Sequence, residues 1–401
     1  MVMMMTMMMM MATHRAERAK AANAPHNLHN VVNFLLKVIK VRRWPPSLFC
    51  CSMRGWRRFY QVSPLTISQG SIFSPSPLIT AIDCRAHDVL DVNAFEIRGN
   101  IRGLFPFTAM MNASCSPNTQ NSIDKDWVCR VRAVREINKG EEITDTYTYT
   151  LSNTLYRRKH LKDSKYFECD CKRCGDPTEL GSHFSTLLCR VPSCSGFMLC
   201  QQPLVSSSPW VCLKCGAELE EEQVRREQEQ WEAKVEATPS LIPDQENLLA
   251  DLKQIFHPNH NLCIDVMFNL VPLYGIRGDP TKDLVWEASR KEELCEVLLS
   301  TMDRIIPGGF RMRGMLLVEH HVSKMFLLRN QLESNVITKA QYMKKLASLR
   351  APLAEAVTIL GFEPEGSLEA HRLAFAEKYL ANLESLLANA EKPLQLLNAA
   401  Q

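Results

Sequence analysis

Three thiols set the terms for this chain. Cys169, Cys171 and Cys174 lie within six residues, too close for all of them to pair with one another. As thiolates they can converge on one tetrahedral ion, and zinc is the ion that this donor type selects. A fourth ligand must come from elsewhere. Cys115 is the candidate, ahead of Cys129, which falls on the apolar face of a predicted strand and reads as a small buried hydrophobe. A second set, Cys189-x4-Cys194 followed by Cys212-x2-Cys215-Gly216, has zinc-ribbon-like spacing with Cys200 to spare. Two Zn²⁺ per chain are expected. Cys50, Cys51, Cys84, Cys263 and Cys295 read as interior or tail residues, since no base is identifiable that would make one a nucleophile.

Fifteen cysteines in short spacings, in a chain without a convincing secretion signal, favour metal thiolates over disulfides and hence a reducing compartment. At 401 residues two or three domains are expected. A net charge of +3 implies no polyanion partner by itself. The charge is uneven, however: Met1 to Gly70 holds ten Lys/Arg against one acid, Glu17, whereas Glu218 to Glu236 is acidic. No apolar run approaches the ~18 residues of a membrane span, so integral membrane association is not expected. Nucleic-acid binding through the basic N-terminus and the ribbon is the weaker reading, because interleaved aromatics and a recognised module are missing.

Along the chain, residues 1–88 are Met-rich, then basic, then Pro-rich. They read as a disordered tail and linker, a misassigned start of the reading frame or, as a lesser alternative, a mitochondrial transit peptide. Order is expected from Val89 to Ile97, as strand or short helix. The run Val128 to Val134 predicts a half-buried strand with Cys129, Val131 and Ala133 inward and the arginines outward. Asn138-Lys139-Gly140 supplies a turn before the next strand near Thr144, and a helix is expected over 153–162. After Pro239 the pattern is helices separated by turns. Met315, Val318, Val322 and Met325 form one apolar stripe, and Leu373, Ala376, Leu380, Leu383 and Leu387 another. Breaks are expected at His257 to His260, Gly275 to Pro280, Pro307 to Gly309 and Gly361 to Gly366. No clean 34-residue repeat is present, so a tetratricopeptide label does not follow from period.

Several of these stretches together resemble a known family. Met111 to Thr119 is similar to the N-H-S-C-x-P-N signature of SET-domain protein-lysine methyltransferases, and Gly140-Glu141-Glu142-Ile143-Thr144-Asp145-Thr146-Tyr147 to the strand that follows it. Phe167-Glu168-Cys169-Asp170-Cys171-Lys172-Arg173-Cys174 resembles the post-SET motif F-x-C-x-C-x-R-C. Asp176 to Gly181, the second cysteine set, His257 to His260 and Leu273 to Gly275 resemble the SMYD branch, in particular arthropod SmydA proteins. The resemblance implies an α+β chain: 89–150 the C-terminal part of the SET domain, 151–180 the post-SET zinc region, 181–216 a zinc-ribbon-like segment and 217–401 a helical TPR-like domain. It implies S-adenosylmethionine as cofactor, with Asn93, Asn112, Ala113 and Phe167 lining its pocket and Tyr147 beside the methyl-transfer channel. It matches Cys115, Cys169, Cys171 and Cys174 to the post-SET zinc ligands. The implied partner is a protein with a target lysine, histone or non-histone, in nucleus and cytoplasm.

Three departures bear on activity. Ala113 stands where the signature has histidine. Lys165 stands where a tyrosine is expected, with Tyr166 one place later. Neither a G-x-G strand nor a MYND zinc module is found before Val89, so the core is expected to lack its first sheet. Two functions therefore compete: a methyltransferase, possessing a complete pocket or a truncated one, and a catalytically silent zinc-stabilised binding scaffold.

Overall fold

Residues 89–98, 101–275 and 283–398 are described by the computed structural model; the readings made for residues 1–88, with Cys50, Cys51 and Cys84, lie outside them. Residues 89–97 are both helix and strand: a helical turn at 89–93 leads into β1 (Ala94–Arg98), which pairs antiparallel with β2 (Ile101–Leu104). After a 3-10 turn at Thr108–Met110, the two residues of β3 (Asn112–Ala113) pair in parallel with β6 (Thr144–Asp145). Between them lies the hairpin of β4 (Thr119–Ile123) and β5 (Cys129–Ala133). The turn before β6 forms as its residues dictate, with Gly140 at φ +86° and the Glu141 amide donating to the Asn138 carbonyl at 3.0 Å.

The burial of β5 differs from the expected alternation. Val131 is 37% exposed and Ala133 is also exposed. Arg132 is the residue that packs, donating to the Phe362 carbonyl at 2.8 Å with its guanidinium 4.8 Å from the centre of the Phe362 ring. Alternation assumes that the buried face is the apolar one. Here the facing surface offers a carbonyl and an aromatic ring, which an arginine satisfies better than a valine.

Helix α1 (Thr154–Lys165) starts at Asn153, whose side chain accepts from the Tyr156 amide, and ends at Tyr166 in the left-handed region, φ 59°. The short α2 (Lys172–Gly175) carries Cys174. Next comes a four-stranded antiparallel sheet, ordered β10-β9-β8-β7, of β7 (Leu187–Leu188), β8 (Phe197–Cys200), β9 (Trp210–Cys212) and β10 (Glu218–Leu219).

Helices begin earlier than Pro239: the acidic segment is itself α3 (Glu221–Ala237), opened by a capping box between Glu220 and Gln223. They continue as α4 (Ile242–Leu252), α5 (Asn261–Leu270), α6 (Leu284–Ile305), α7 (Arg311–Glu333), α8 (Lys339–Ser348), α9 (Arg350–Leu360) and α10 (Leu368–Asn398). The interruptions expected at His257 to His260, Pro307 to Gly309 and Gly361 to Gly366 fall between helices, and that at Gly275 to Pro280 lies, past Gly275, outside the described residues; those at 334–338 and at Leu349 carry no Gly or Pro and were not legible. The stripe on α7 is wider than expected. Leu316, Leu317, Leu327 and Leu328 are buried along with Val318, because α6, α8, α9 and α10 all pack around this helix. On α10, Ala376 and Leu383 are buried as the pattern requires, with Leu373, Leu380 and Leu387 packed beside them.

One apolar core joins the ribbon sheet to α3–α6 through Leu187, Met198, Trp210, Leu252 and Phe256. The β4–β5 hairpin docks on the helices where they turn. The Gly309 amide donates to the Val134 carbonyl at 2.7 Å, and at Gly308 (φ +109°) a Cβ would stand 2.3 Å from that oxygen. Gln120 completes the joint, donating to Glu363 at 2.8 Å and accepting from the Arg311 amide at 2.9 Å. Among the described residues no helix is long and apolar enough to cross a membrane.

Candidate active site and metal centres

The four thiols Cys115, Cys169, Cys171 and Cys174 meet, all four Sγ atoms lying within 4.8 Å of one another. Cys115 stands 3.8 Å from Cys169 and 3.5 Å from Cys174. A tetrahedron with Zn–S bonds of 2.3 Å has sulfur–sulfur edges of about 3.8 Å, whereas a disulfide would need about 2.05 Å. The separations are those of ligands to a common ion. Cys129 is elsewhere, half-buried, accepting from the Thr108 hydroxyl at 3.7 Å.

Behind this cluster lies a charge arrangement that spacing did not disclose. Arg157 and Arg173 are fully buried and share the carboxylate of Glu179, at 2.7 and 2.8 Å. Arg157 also donates to Cys174 Sγ at 3.5 Å, and Arg173 to the Cys115 carbonyl at 3.1 Å. Two guanidiniums against one carboxylate leave one positive charge facing the sulfurs, which suits a tetrathiolate that remains anionic around a divalent ion. Burial acts to raise the Glu179 carboxyl, but Arg157 and then Arg173 overcome it and hold it at about 2. The run Asp176 to Gly181 exists to present this carboxylate: Asp176 accepts from the Thr178 and Leu180 amides at 2.8 and 2.9 Å, turning the chain so that Glu179 points inward.

The parallel pairing of β3 with β6, Asn112 opposite Thr144 and Ala113 opposite Asp145, brings the two signature stretches side by side. Asn118 fastens them. Its Nδ2 donates to the Glu142 carbonyl at 2.8 Å, and its Oδ1 accepts from the Thr144 amide at 2.8 Å. The Tyr147 hydroxyl donates to the Met111 carbonyl, and more weakly to that of Ala109 at 3.4 Å. Burial, with Asp145 close by, raises the Tyr147 phenol, so the hydroxyl keeps its proton and remains a donor. Tyr147 and Phe167 both pack against the cysteine cluster. Asn112 is exposed and donates its amide to Glu142; Ala113 is half-buried beside it. Asn93 spends its Nδ2 on the Val89 carbonyl at 3.0 Å. The Thr148 hydroxyl, next to Tyr147, is buried without a hydrogen-bond partner.

Tyr166 is 77% exposed, so it does not replace the expected tyrosine. Lys165 instead turns back and donates to the carbonyls of Val92 and Asp91, at 2.6 and 3.2 Å.

In the second set the Sγ atoms of Cys189, Cys194, Cys212 and Cys215 also lie within 4.8 Å, with Cys189–Cys215 at 3.5 Å and Cys194–Cys212 at 3.7 Å. Amides point at the sulfurs: Val191 at Cys189 and Lys214 at Cys212, each at 3.4 Å. A Cβ on Gly196 would stand 2.6 Å from Cys212 Sγ, so a side chain there would displace a ligand. Cys200 is buried apart from them, near the Ser208 carbonyl, and Cys263 and Cys295 are buried among the helices. A third convergence, Glu292, Glu296 and His320, already holds a cation, since Lys324 lies 3.4 and 3.1 Å from the two carboxylates. A cleft of about 310 Å³ between the hairpin tip and the α9–α10 loop is lined by charges that pair with one another, among them Arg130 with Asp124 and Lys125 with Glu365.

The SET domain family model matches residues 8–148, starting within the stretch read from composition as tail. That stretch is similar to a SET domain. Similar proteins include SET domain-containing protein SmydA-8 isoform A of Drosophila melanogaster, 42% identical over 134 residues, which are 32% of this chain and 29% of that protein. Histone-lysine N-methyltransferase ASHR1 of Arabidopsis thaliana is 29% identical over 242 residues, 58% of this chain and 48% of that protein. N-lysine methyltransferase SMYD2-A of Danio rerio is 42% identical over 97 residues, 24% and 21% of the two chains. The chain thus spans less than half the length of each of these relatives. Asn118, Thr148, Arg157, Arg173 and Glu179 are residues of the site to which the motif reading gave no role. Asn118, the last letter of the signature, Arg173, the arginine of the post-SET motif, and Glu179, inside a matched stretch, carried some signal; Arg157 and Thr148 carried none.

Proposed function

We propose that this chain transfers a methyl group from S-adenosylmethionine to a lysine side chain of a protein partner, on a scaffold tied by two zinc ions. The observation that supports this best is the Tyr147 hydroxyl donating to the Met111 carbonyl across the β3–β6 pair, beside a four-thiol cluster. The groups present suit the cofactor in kind. They are an aromatic face (Phe167), an amide (Asn112), the half-buried Ala113, a protonated phenol (Tyr147) and an orphaned hydroxyl (Thr148), with Asn93 on the neighbouring segment.

The cofactor supplies an electrophilic methyl on a sulfonium. The protein's work is alignment of a neutral amine in line with it and exclusion of water. Tyr147, kept protonated, orients the amine through its oxygen lone pairs while its proton is held by the Met111 carbonyl. The apolar surroundings of Phe167 and the cysteine cluster disfavour the ammonium form of the incoming lysine. Cys115, Cys169, Cys171 and Cys174 would hold one zinc, and Cys189, Cys194, Cys212 and Cys215 the other; neither ion touches the transferred methyl. The TPR-like helices would wall the partner's approach, and a histone or non-histone protein of nucleus and cytoplasm remains the substrate class.

Calorimetric titration with S-adenosylhomocysteine, followed by transfer of labelled methyl to lysine-bearing proteins, tests the reading. Saturable binding and labelling that Tyr147→Phe abolishes are expected; no heat at high micromolar ligand sinks it. The competing scaffold reading is favoured by Ala113 and by the outward Tyr166, and it predicts full zinc content without cofactor binding.

A further inference from the structure

The segment carrying Asn93 is held in place by two cations from different elements. Arg102 on β2 pairs with the Asp91 carboxylate at 3.0 Å, on the side facing solvent. From the other side Lys165, the last residue of α1, donates to the backbone carbonyls of Asp91 and Val92, at 3.2 and 2.6 Å. Those carbonyls end the helical turn 89–93, where a helix leaves its acceptors unpaired and its dipole negative, so an ammonium is the group that satisfies them. Immediately after Lys165 the chain takes the left-handed conformation at Tyr166 and brings Phe167 back against the cysteine cluster. One side chain therefore ties the segment of Asn93 to the end of α1, two residues before Phe167 opens the thiol motif. A tyrosine at this position has one donor and a rigid ring, whereas a lysine has three donors on a flexible stem.

We infer that Lys165 is a positioning residue that pins the Asn93 segment to the end of α1, so that Asn93 and Phe167 close on the same cofactor molecule. This rests on the methyltransferase reading above for its ligand and on the two hydrogen bonds for its geometry. Lys165 moves no proton and touches no reacting atom. It sets the distance between two walls of the pocket.

The test compares Lys165→Met, which keeps the stem and removes the donors, with Lys165→Arg, which restores them, both in the full chain. With S-adenosylhomocysteine as probe, Lys165→Met is expected to weaken the dissociation constant roughly tenfold, as loss of charge-assisted bonds does, and Lys165→Arg to recover most of it. Zinc content and the unfolding midpoint should stay at the values of the unsubstituted chain. Hydrogen exchange of the amides at 89–97, measured without ligand, should accelerate in Lys165→Met alone. An unchanged dissociation constant together with unchanged exchange overturns the inference. If the unsubstituted chain binds no probe, the methyltransferase reading fails, and the exchange measurement still decides whether Lys165 pins the segment.

Discussion

The two four-cysteine clusters use the same donors at nearly the same separations, yet the first is the more deeply buried: three of its thiols are buried, against Cys212 alone in the second. In the first, Cys115, Cys169 and Cys174 are 3% exposed or less, and two buried arginines stand behind the sulfurs. In the second, Cys215 is exposed and Cys189 and Cys194 are half-buried, and the sulfurs are met by backbone amides rather than by charges. The first cluster's ligands come from two distant parts of the chain, and Tyr147 and Phe167 lean on it. The second closes a local ribbon already joined to the helical core through Met198 and Trp210. Identical ligand sets thus carry different burdens, and burial of their surroundings decides which.

Substitutions can break this contrast. Cys171→Ser should have the largest effect: one zinc of two lost by metal analysis, and with it the cluster on which Tyr147, Leu161 and Phe167 pack. Glu179→Ala removes the carboxylate that two buried guanidiniums share and should cost about 3–5 kcal/mol in denaturant unfolding. The same carboxylate gives a pH signature. Its folded value, about 2, lies below the ordinary 4.5; its stabilisation is therefore complete above pH 4.5 and is lost as pH falls from there toward 2, and Glu179→Gln should flatten the stability profile over that window. Gly308→Ala, at a positive φ and against the Val134 carbonyl, should cost roughly 1–3 kcal/mol while both zincs stay bound. Cys215→Ser should release the second zinc with a smaller stability loss than Cys171→Ser, and chelator should strip that ion first. Equal losses from the two cysteine variants would erase the contrast. Lys125→Ala, at an exposed ion pair with Glu365, should change nothing measurable.

What was legible in the sequence divides along similar lines. The second thiol set, the three close thiols of the first, the turn at Gly140, the start of α1 at Asn153 and most helix breaks were written in local spacing; Cys115, 54 positions before Cys169, was not. The cluster that Arg157, Arg173 and Glu179 form was not legible, because a buried charge cluster is made by residues whose sequence pattern is that of an exposed surface. The orientation of β5 was misread for a related reason: Arg132 found a ring and a carbonyl to pack on, and Val131 did not. Lys165 looked like a slipped tyrosine, and only the fold shows what its ammonium reaches.

Asn118 has a consequence for the order in which this molecule assembles. β3 and β6 share only two residue pairs, and the hairpin between them must be in place before they can meet. The two ends of the Asn118 amide reach Glu142 and Thr144, 24 and 26 positions further on. A short parallel pair over such a loop is slow to form and is rewarded only once closed. The pocket should therefore be the last part of the SET region to appear on refolding and the first to open in the native state. Replacing Asn118 by aspartate would set a buried carboxylate against the Glu142 carbonyl and the Glu141 carboxylate, and so would both slow closure and loosen the closed pair.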